Sequence, residues 1–171
     1  MRDAHRRTTA DQKLTEFLGP ELQPGERIIA ILAEATREVR TLRVWDSLGA
    51  NFFDALHGNN STQAIVVTNR RVLIVQYAPT VFGRLRLQLV PRGLAAVHNR
   101  DAVRILAYRP EEVVGGTGGS SGTSNAGIDA VWVPPEFVLS LEGDEALFTV
   151  PRAVYASATA DVMNALQEVP N

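Results

Sequence analysis

The apolar positions of this chain recur in two rhythms, and each predicts a different kind of element. Near the start, Leu14, Phe17 and Leu18 fall at i, i+3 and i+4 behind Thr9 and Gln12, the spacing of a capping box. They predict a short helix that Gly19-Pro20 stops, with residues 1–7 as a frayed start. Pro24-Gly25 is a turn, and Glu26–Thr36 reads as a strand, although its alanines leave a helix open. Leu48, Phe52 and Leu56 recur every fourth residue, which predicts a helical turn or two inside a long connection, 37–62.

Beyond that connection the rhythm shortens to two. Ala64–Thr68 and Val72–Tyr77 are β-branched runs joined at Asn69-Arg70, a tight hairpin in which asparagine tolerates the left-handed conformation. Arg84–Val90 alternates throughout, with Leu85, Leu87 and Leu89 on one face and Arg84, Arg86 and Gln88 on the other. Val103–Tyr108 is a further strand, and the glycine- and serine-rich stretch 115–127 is a flexible loop. Phe137–Leu141 and Ala146–Val150 form a second hairpin around Glu142-Gly143-Asp144-Glu145. After Pro151, expected in the first helical turn, Val154, Ala158, Val162 and Leu166 mark one face of a terminal helix ending near Glu168. Strands and helices do not alternate, so a parallel α/β sheet is disfavoured. The prediction is one mainly β domain of about seven antiparallel strands over 22–168, preceded by a tail and short helix, 1–21, and closed by an amphipathic helix.

Charge adds a second pattern. The 171 residues carry 17 basic and 19 acidic side chains, a net of −2, but the two signs are segregated. Residues 1–109 hold sixteen basic and ten acidic groups, and residues 110–171 hold one and nine. Lys13 is the only lysine, an arginine skew of the kind that a GC-rich genome produces without selection for guanidinium chemistry. With no cysteine, disulfides, thiolate metal sites and cysteine nucleophiles are excluded. His5, His57 and His98 have no metal-ligand spacing, there is no G-x-S-x-G elbow, and the glycine-rich loop lacks the Gly-Lys-Ser/Thr of a phosphate-binding loop. Glu111 and Glu112, being adjacent, face opposite ways in a strand. The expectation is a protein that is not an enzyme, with no cofactor and no metal. No apolar run is long enough for a membrane span and the N-terminal stretch has no apolar signal core, so a cytoplasmic protein is expected.

Three further stretches carry motifs: Leu22-Gln23-Pro24-Gly25-Glu26-Arg27-Ile28-Ile29, Ala64–Ile74 with Thr68-Asn69-Arg70-Arg71 at its centre, and the stretch from Tyr108 to Val113. Together they resemble the bacterial pleckstrin-homology-like (PH-like) family, the first being similar to the approach to its first strand and the second to its T-N-x-R hairpin. Tyr108-Arg109-Pro110-Glu111-Glu112-Val113 resembles its I-P-x-x-x-I stretch, with arginine before the proline. The long 37–62 connection, the arginine-bearing 79–100 region and the 115–127 loop depart from that pattern. The resemblance implies a PH-like barrel and a non-enzymatic module that binds lipid, peptide or its own copies.

Two candidate surfaces follow. Arg70, Arg71, Arg84 and Arg86, joined by Arg92, Arg100 and Arg104 if these lie near, would receive phosphate, anionic lipid or an acidic peptide. The alternative is a solvated face paired with the acidic C-terminal third of the same chain or of another copy. Trp45, Phe52, Phe53 and Leu56 would dip into a bilayer or dock a partner, or else plug one end of the barrel. Aromatics are too sparse among the arginines for single-stranded nucleic acid. A non-enzymatic binding or assembly module, contacting another protein or its own copies, is the leading functional reading, and peripheral binding to anionic lipid or a phosphate-bearing ligand through the arginine face is the second.

Overall fold

The computed structural model describes residues 2–38, 61–82, 86–114 and 131–168, with side chains for 8–37, 62–77, 90–114 and 131–168. Helix α1 (Arg2–Leu18) runs into a 3-10 turn, Gly19–Glu21. Then come β1 (Ile28–Glu38), β2 (Ser61–Thr68), β3 (Arg71–Phe82) and β4 (Arg86–Asn99). A 3-10 turn, Arg100–Ala102, leads to β5 (Val103–Arg109), followed by β6 (Glu112–Val114), β7 (Val131–Val133), β8 (Glu136–Leu141) and β9 (Asp144–Thr149). The chain closes through a third 3-10 turn, Ala153–Tyr155, into α2 (Ala156–Gln167).

Seven strands form one antiparallel sheet in the order β4-β3-β2-β1-β9-β8-β5, and β6 with β7 forms a separate ribbon. The expected mainly β, antiparallel architecture with a helix at each end is present. The sheet is not closed into the expected barrel, because edge strands β4 and β5 do not pair with each other. It consists of a four-stranded half and a three-stranded half, whose strand pairing among the described residues runs through Thr36–Glu38 of β1 and Leu147–Thr149 of β9.

The two halves bury their strands differently. In β2 and β3, residues 64–67 and 72–75 are all buried, so both faces of these strands are covered. In β8 burial alternates: Phe137, Leu139 and Leu141 face the core, and Phe137 stacks on its cross-strand partner Phe148 with ring centroids 5.2 Å apart. Leu14 and Leu18 are fully buried and fix α1 to the core, while α2 buries Ala158, Thr159, Val162 and Met163 against the sheet. Helix α2 packs on β1, β2 and β5. Burying one leucine side chain stabilises by about 1.5–3 kcal/mol, so this pair of leucines accounts for the docking of a helix with few other apolar residues.

Several boundaries differ from expectation. Helix α1 begins at Arg2, so residues 2–7 are helical and Thr9 lies inside the helix rather than capping it. Helix α2 begins at Ala156, not at Pro151, because the 3-10 turn Ala153–Tyr155 intervenes. The strand expected over 84–90 runs on to Asn99, through Pro91. Proline is tolerated there because β4 is an edge strand, and the register slips beside it, between Gln76↔Gly93 and Tyr77↔Pro91. The β6–β7 ribbon was not foreseen. The Trp45–Leu56 segment and the 115–127 loop lie outside the described residues.

The two hairpins are made in different ways. At β8–β9 the turn is only Glu142-Gly143, with φ of 55° and 105°, and Asp144 and Glu145 already belong to the strand. Both positive angles match the right-handed strand twist, and glycine takes the second at no steric cost. At β2–β3 neither Asn69 nor Arg70 has a positive φ, so the left-handed conformation that asparagine tolerates is not used there. Asn69 works through its side chain instead, as described below.

Candidate interaction surfaces

The sequence stretches Leu22–Ile29 and Thr68–Arg71 meet in space. Pro24-Gly25 forms a tight turn closed by the Glu26 N–H on the Gln23 carbonyl at 2.9 Å, with Gly25 at φ 76°. That angle is required of the third residue of a type II turn, which is why glycine follows proline here. The turn aims Glu26 at the β2–β3 hairpin. Arg71 donates from Nε to Glu26 Oε1 at 3.0 Å and from Nη2 to Oε2 at 2.6 Å, a two-pronged ion pair. The Gln23 N–H adds a bond to Oε2 at 2.8 Å and the Thr68 hydroxyl one to Oε1 at 2.7 Å. These donors, Arg71 foremost, hold the Glu26 carboxyl down to about 2 despite burial.

Asn69 completes the junction. Its Oδ1 accepts the Arg27 N–H at 3.0 Å, its Nδ2 donates to the Gly25 carbonyl at 3.3 Å, and its own N–H bonds the Arg27 carbonyl at 3.1 Å. Thr68 Oγ1 accepts the N–H groups of Arg70 and Arg71. The motif residues that carry the family resemblance are therefore spent on one another. Arg71 also reaches the Glu21 carbonyl at 3.0 Å, which ties the hairpin to the end of α1.

The arginines named by the sequence are dispersed. Arg70 is exposed at the hairpin tip, and Arg71 is committed to Glu26. Arg86 pairs with Phe82 at the other end of the β3–β4 ribbon, roughly 35 Å along the strand from Arg71. Arg92 is exposed about 20 Å along β4 from Asn99. Arg84 lies outside the described residues. Arg100 is only 6% exposed: its Nη2 donates to the carbonyls of Ala165 and Glu168, so it caps the C-terminus of α2. Arg104 is exposed beside it at the start of β5. Arg109 pairs with Glu136 at 2.9 Å, and Arg152 lies 3.4 Å from Glu34, whose carboxyl burial pushes up against the opposing pull of that guanidinium.

A groove of about 440 Å³ lies between α1, the start of β1 and α2, walled by Asp11, Asp161, Asn164 and Glu168 over Ile28–Ile31. Its wall is acidic, and the i, i+3, i+7 spacing of Asp161, Asn164 and Glu168 made that stripe readable in the sequence. Among the described residues no three His, Asp or Glu side chains gather as a metal site, and no helix is long and apolar enough to cross a membrane.

The feature that the sequence reading missed lies at the opposite edge. Leu106, inserted by a bulge in β5, is 50% exposed, and on the adjoining ribbon Val113, Val114 and Val131 are 67%, 54% and 60% exposed. Tyr108 is exposed as well, and its hydroxyl is pushed up by burial and by Glu111. Glu111 in turn accepts the Trp132 Nε1–H at 2.9 Å, and Trp132 pairs across the ribbon with Val113. The exposed apolar groups thus lie on β5 and on the ribbon that follows it in the chain, with Glu111 and Glu112 between them. The feature's only signal in the sequence is a pair of short apolar runs, Val113-Val114 and Val131–Val133, on either side of the glycine-rich stretch and too short to read as strands. No family model matches the chain, and no curated protein matches it.

Proposed function

We propose that the protein is a non-enzymatic binding and assembly module of PH-like fold, which joins protein to protein, its own copies included, through the β5–β7 surface. The observation that carries this reading is the run of exposed Leu106, Tyr108, Val113, Val114 and Val131 on and beside a sheet edge that pairs with no other strand among the described residues. Exposed apolar side chains next to free backbone donors and acceptors form a surface that a second strand or apolar face completes. Glu111 and Glu112 complement the exposed arginines elsewhere on the chain, Arg27, Arg70 and Arg92, which favours contact between unlike faces of two copies. The PH-like assignment is supported by the seven-strand meander order and by a C-terminal helix packed on β1, β2 and β5. It is supported too by the approach of β4 to the β8–β9 turn, where His98 Nδ1 lies 3.5 Å from Glu142 Oε2. The test is the solution mass of the full chain by light scattering across concentration. A mass above that of one chain, reduced by Val113→Lys with Val131→Lys, is expected, and a single-chain mass throughout would overturn it.

A second reading, peripheral attachment to anionic lipid, rests on one placement. Arg86 lies at the same end of the four-stranded half as Glu38 and Ser61, which bracket the stretch containing Trp45, Phe52 and Phe53. Arg70 and Arg71 sit at the other end and take no part in this version. Co-sedimentation with phosphatidylserine vesicles at low salt is expected to fall for Arg84→Glu with Arg86→Glu. Equal recovery with neutral and acidic vesicles removes this reading.

A further inference from the structure

Between the start of β5 and the end of α2 lies a cavity of about 240 Å³, lined by Arg100, Asp101, Val103, Arg104, Leu166 and Glu168, with Gln167 beside them. Arg100 gives its Nη2 protons to α2 carbonyls, yet its Nε is buried and has no hydrogen-bond partner. A buried guanidinium N–H left unbonded is costly, so an acceptor is wanted there. Arg104, on the same cavity, makes no ion pair with any described residue. Two guanidiniums on one cavity suit a carboxylate.

The remaining charges restrict the choice. Asp101 and Glu168 also line the cavity, and the C-terminal end of α2 adds the negative pole of its dipole. A dianion such as phosphate would meet two carboxylates and a helix C-terminus. A simple cation would meet two arginines. A ligand carrying both charges satisfies both sets, and the volume is below the roughly 300–1,000 Å³ typical of sites for drug-sized molecules.

We propose that this cavity binds a small zwitterion of the α-amino-acid class, with its carboxylate on Arg100 and Arg104 and its ammonium group toward Asp101, Glu168 and the carbonyl end of α2. The site does not rest on the self-association reading, and each can fail without the other.

The test titrates the full, isotopically labelled chain with glycine, L-serine, L-leucine, L-glutamate and L-arginine, following the Arg100 Nε–H resonance. Acetate, methylammonium and inorganic phosphate serve as single-charge-type probes. A saturable shift with at least one amino acid is expected, with acetate and methylammonium about tenfold weaker or worse. Arg104→Gln and Asp101→Asn, both at exposed positions, should each weaken that binding about tenfold while leaving the melting temperature unchanged. A resonance that no amino acid moves would mean that water alone fills the cavity and would overturn the proposal. So would equal affinity for acetate or phosphate, or unchanged binding in both variants.

Discussion

The β2–β3 hairpin and the β5–β7 edge differ in what they leave unfinished. At the hairpin, Glu26, Thr68, Asn69 and Arg71 satisfy one another and the nearby backbone, and only Arg70 projects freely. At the edge, β5 has no further strand beside it among the described residues, and apolar side chains are exposed. The contrast teaches that a motif dense in charged residues can be wholly structural, whereas a short and unremarkable valine run can be the surface that awaits a partner. The hairpin keeps the fold; the edge is open to contact.

That contrast breaks first, and most strongly, at Arg71. Arg71→Ala strands the buried Glu26 carboxylate and should cost about 3–5 kcal/mol, read as a shift of the urea midpoint. Replacing both partners, Glu26→Gln with Arg71→Met, should recover much of that loss, because no unpaired charge is left. If Arg71 were instead a free ligand-binding arginine, its removal would leave the midpoint where it was.

Acid should act on the same pair. Glu26 titrates at about 2 in the folded chain against an ordinary 4.5, so it is a group with a depressed folded value. Its contribution is complete above the ordinary value and is lost as pH falls from there toward 2. Denaturation midpoints measured between neutral pH and about pH 3 should therefore drop more steeply for the wild type than for Glu26→Gln.

Smaller effects separate the two hairpins. Asn69→Gly removes the acceptor of the Arg27 N–H and should cost about 1 kcal/mol, although glycine would be welcome in a left-handed turn. Glu142→Gly relieves a side chain held at φ 55° and should gain a few tenths to about 1 kcal/mol. Opposite signs in thermal denaturation sharpen the distinction, and a gain at both sites would mean that Asn69 is held by its backbone angle after all.

Why one region could be read in the sequence and the other not follows from these contacts. The β2–β3 and β8–β9 hairpins and the terminal helix announce themselves through local periodicity, which burial on one or both faces imposes. Leu85, Leu87 and Leu89 predicted a strand, and β4 is there, but its run past Pro91 depends on being an edge, which no local pattern states. The fate of the arginines depends on partners far along the chain. Arg71 meets Glu26 from 45 residues away, and Arg100 meets the carbonyl of Ala165 from 65. A count of arginines between 70 and 109 leaves open whether they gather in one patch, and the register of β3 with β4 sets Arg71 and Arg86 at opposite ends of that ribbon. Barrel closure likewise depends on whether β4 reaches β5, a pairing between edges that alternation cannot specify.

The open edge carries the central claim, and the solution mass of the full chain tests it most directly. Val113→Lys with Val131→Lys changes two exposed positions and should alter stability by no more than about 0.5 kcal/mol. Light scattering should then give a wild-type mass above one chain, and a variant that is equally well folded and has the mass of one chain. A wild type that stays at one chain at every concentration, or a variant that assembles as the wild type does, would contradict the account.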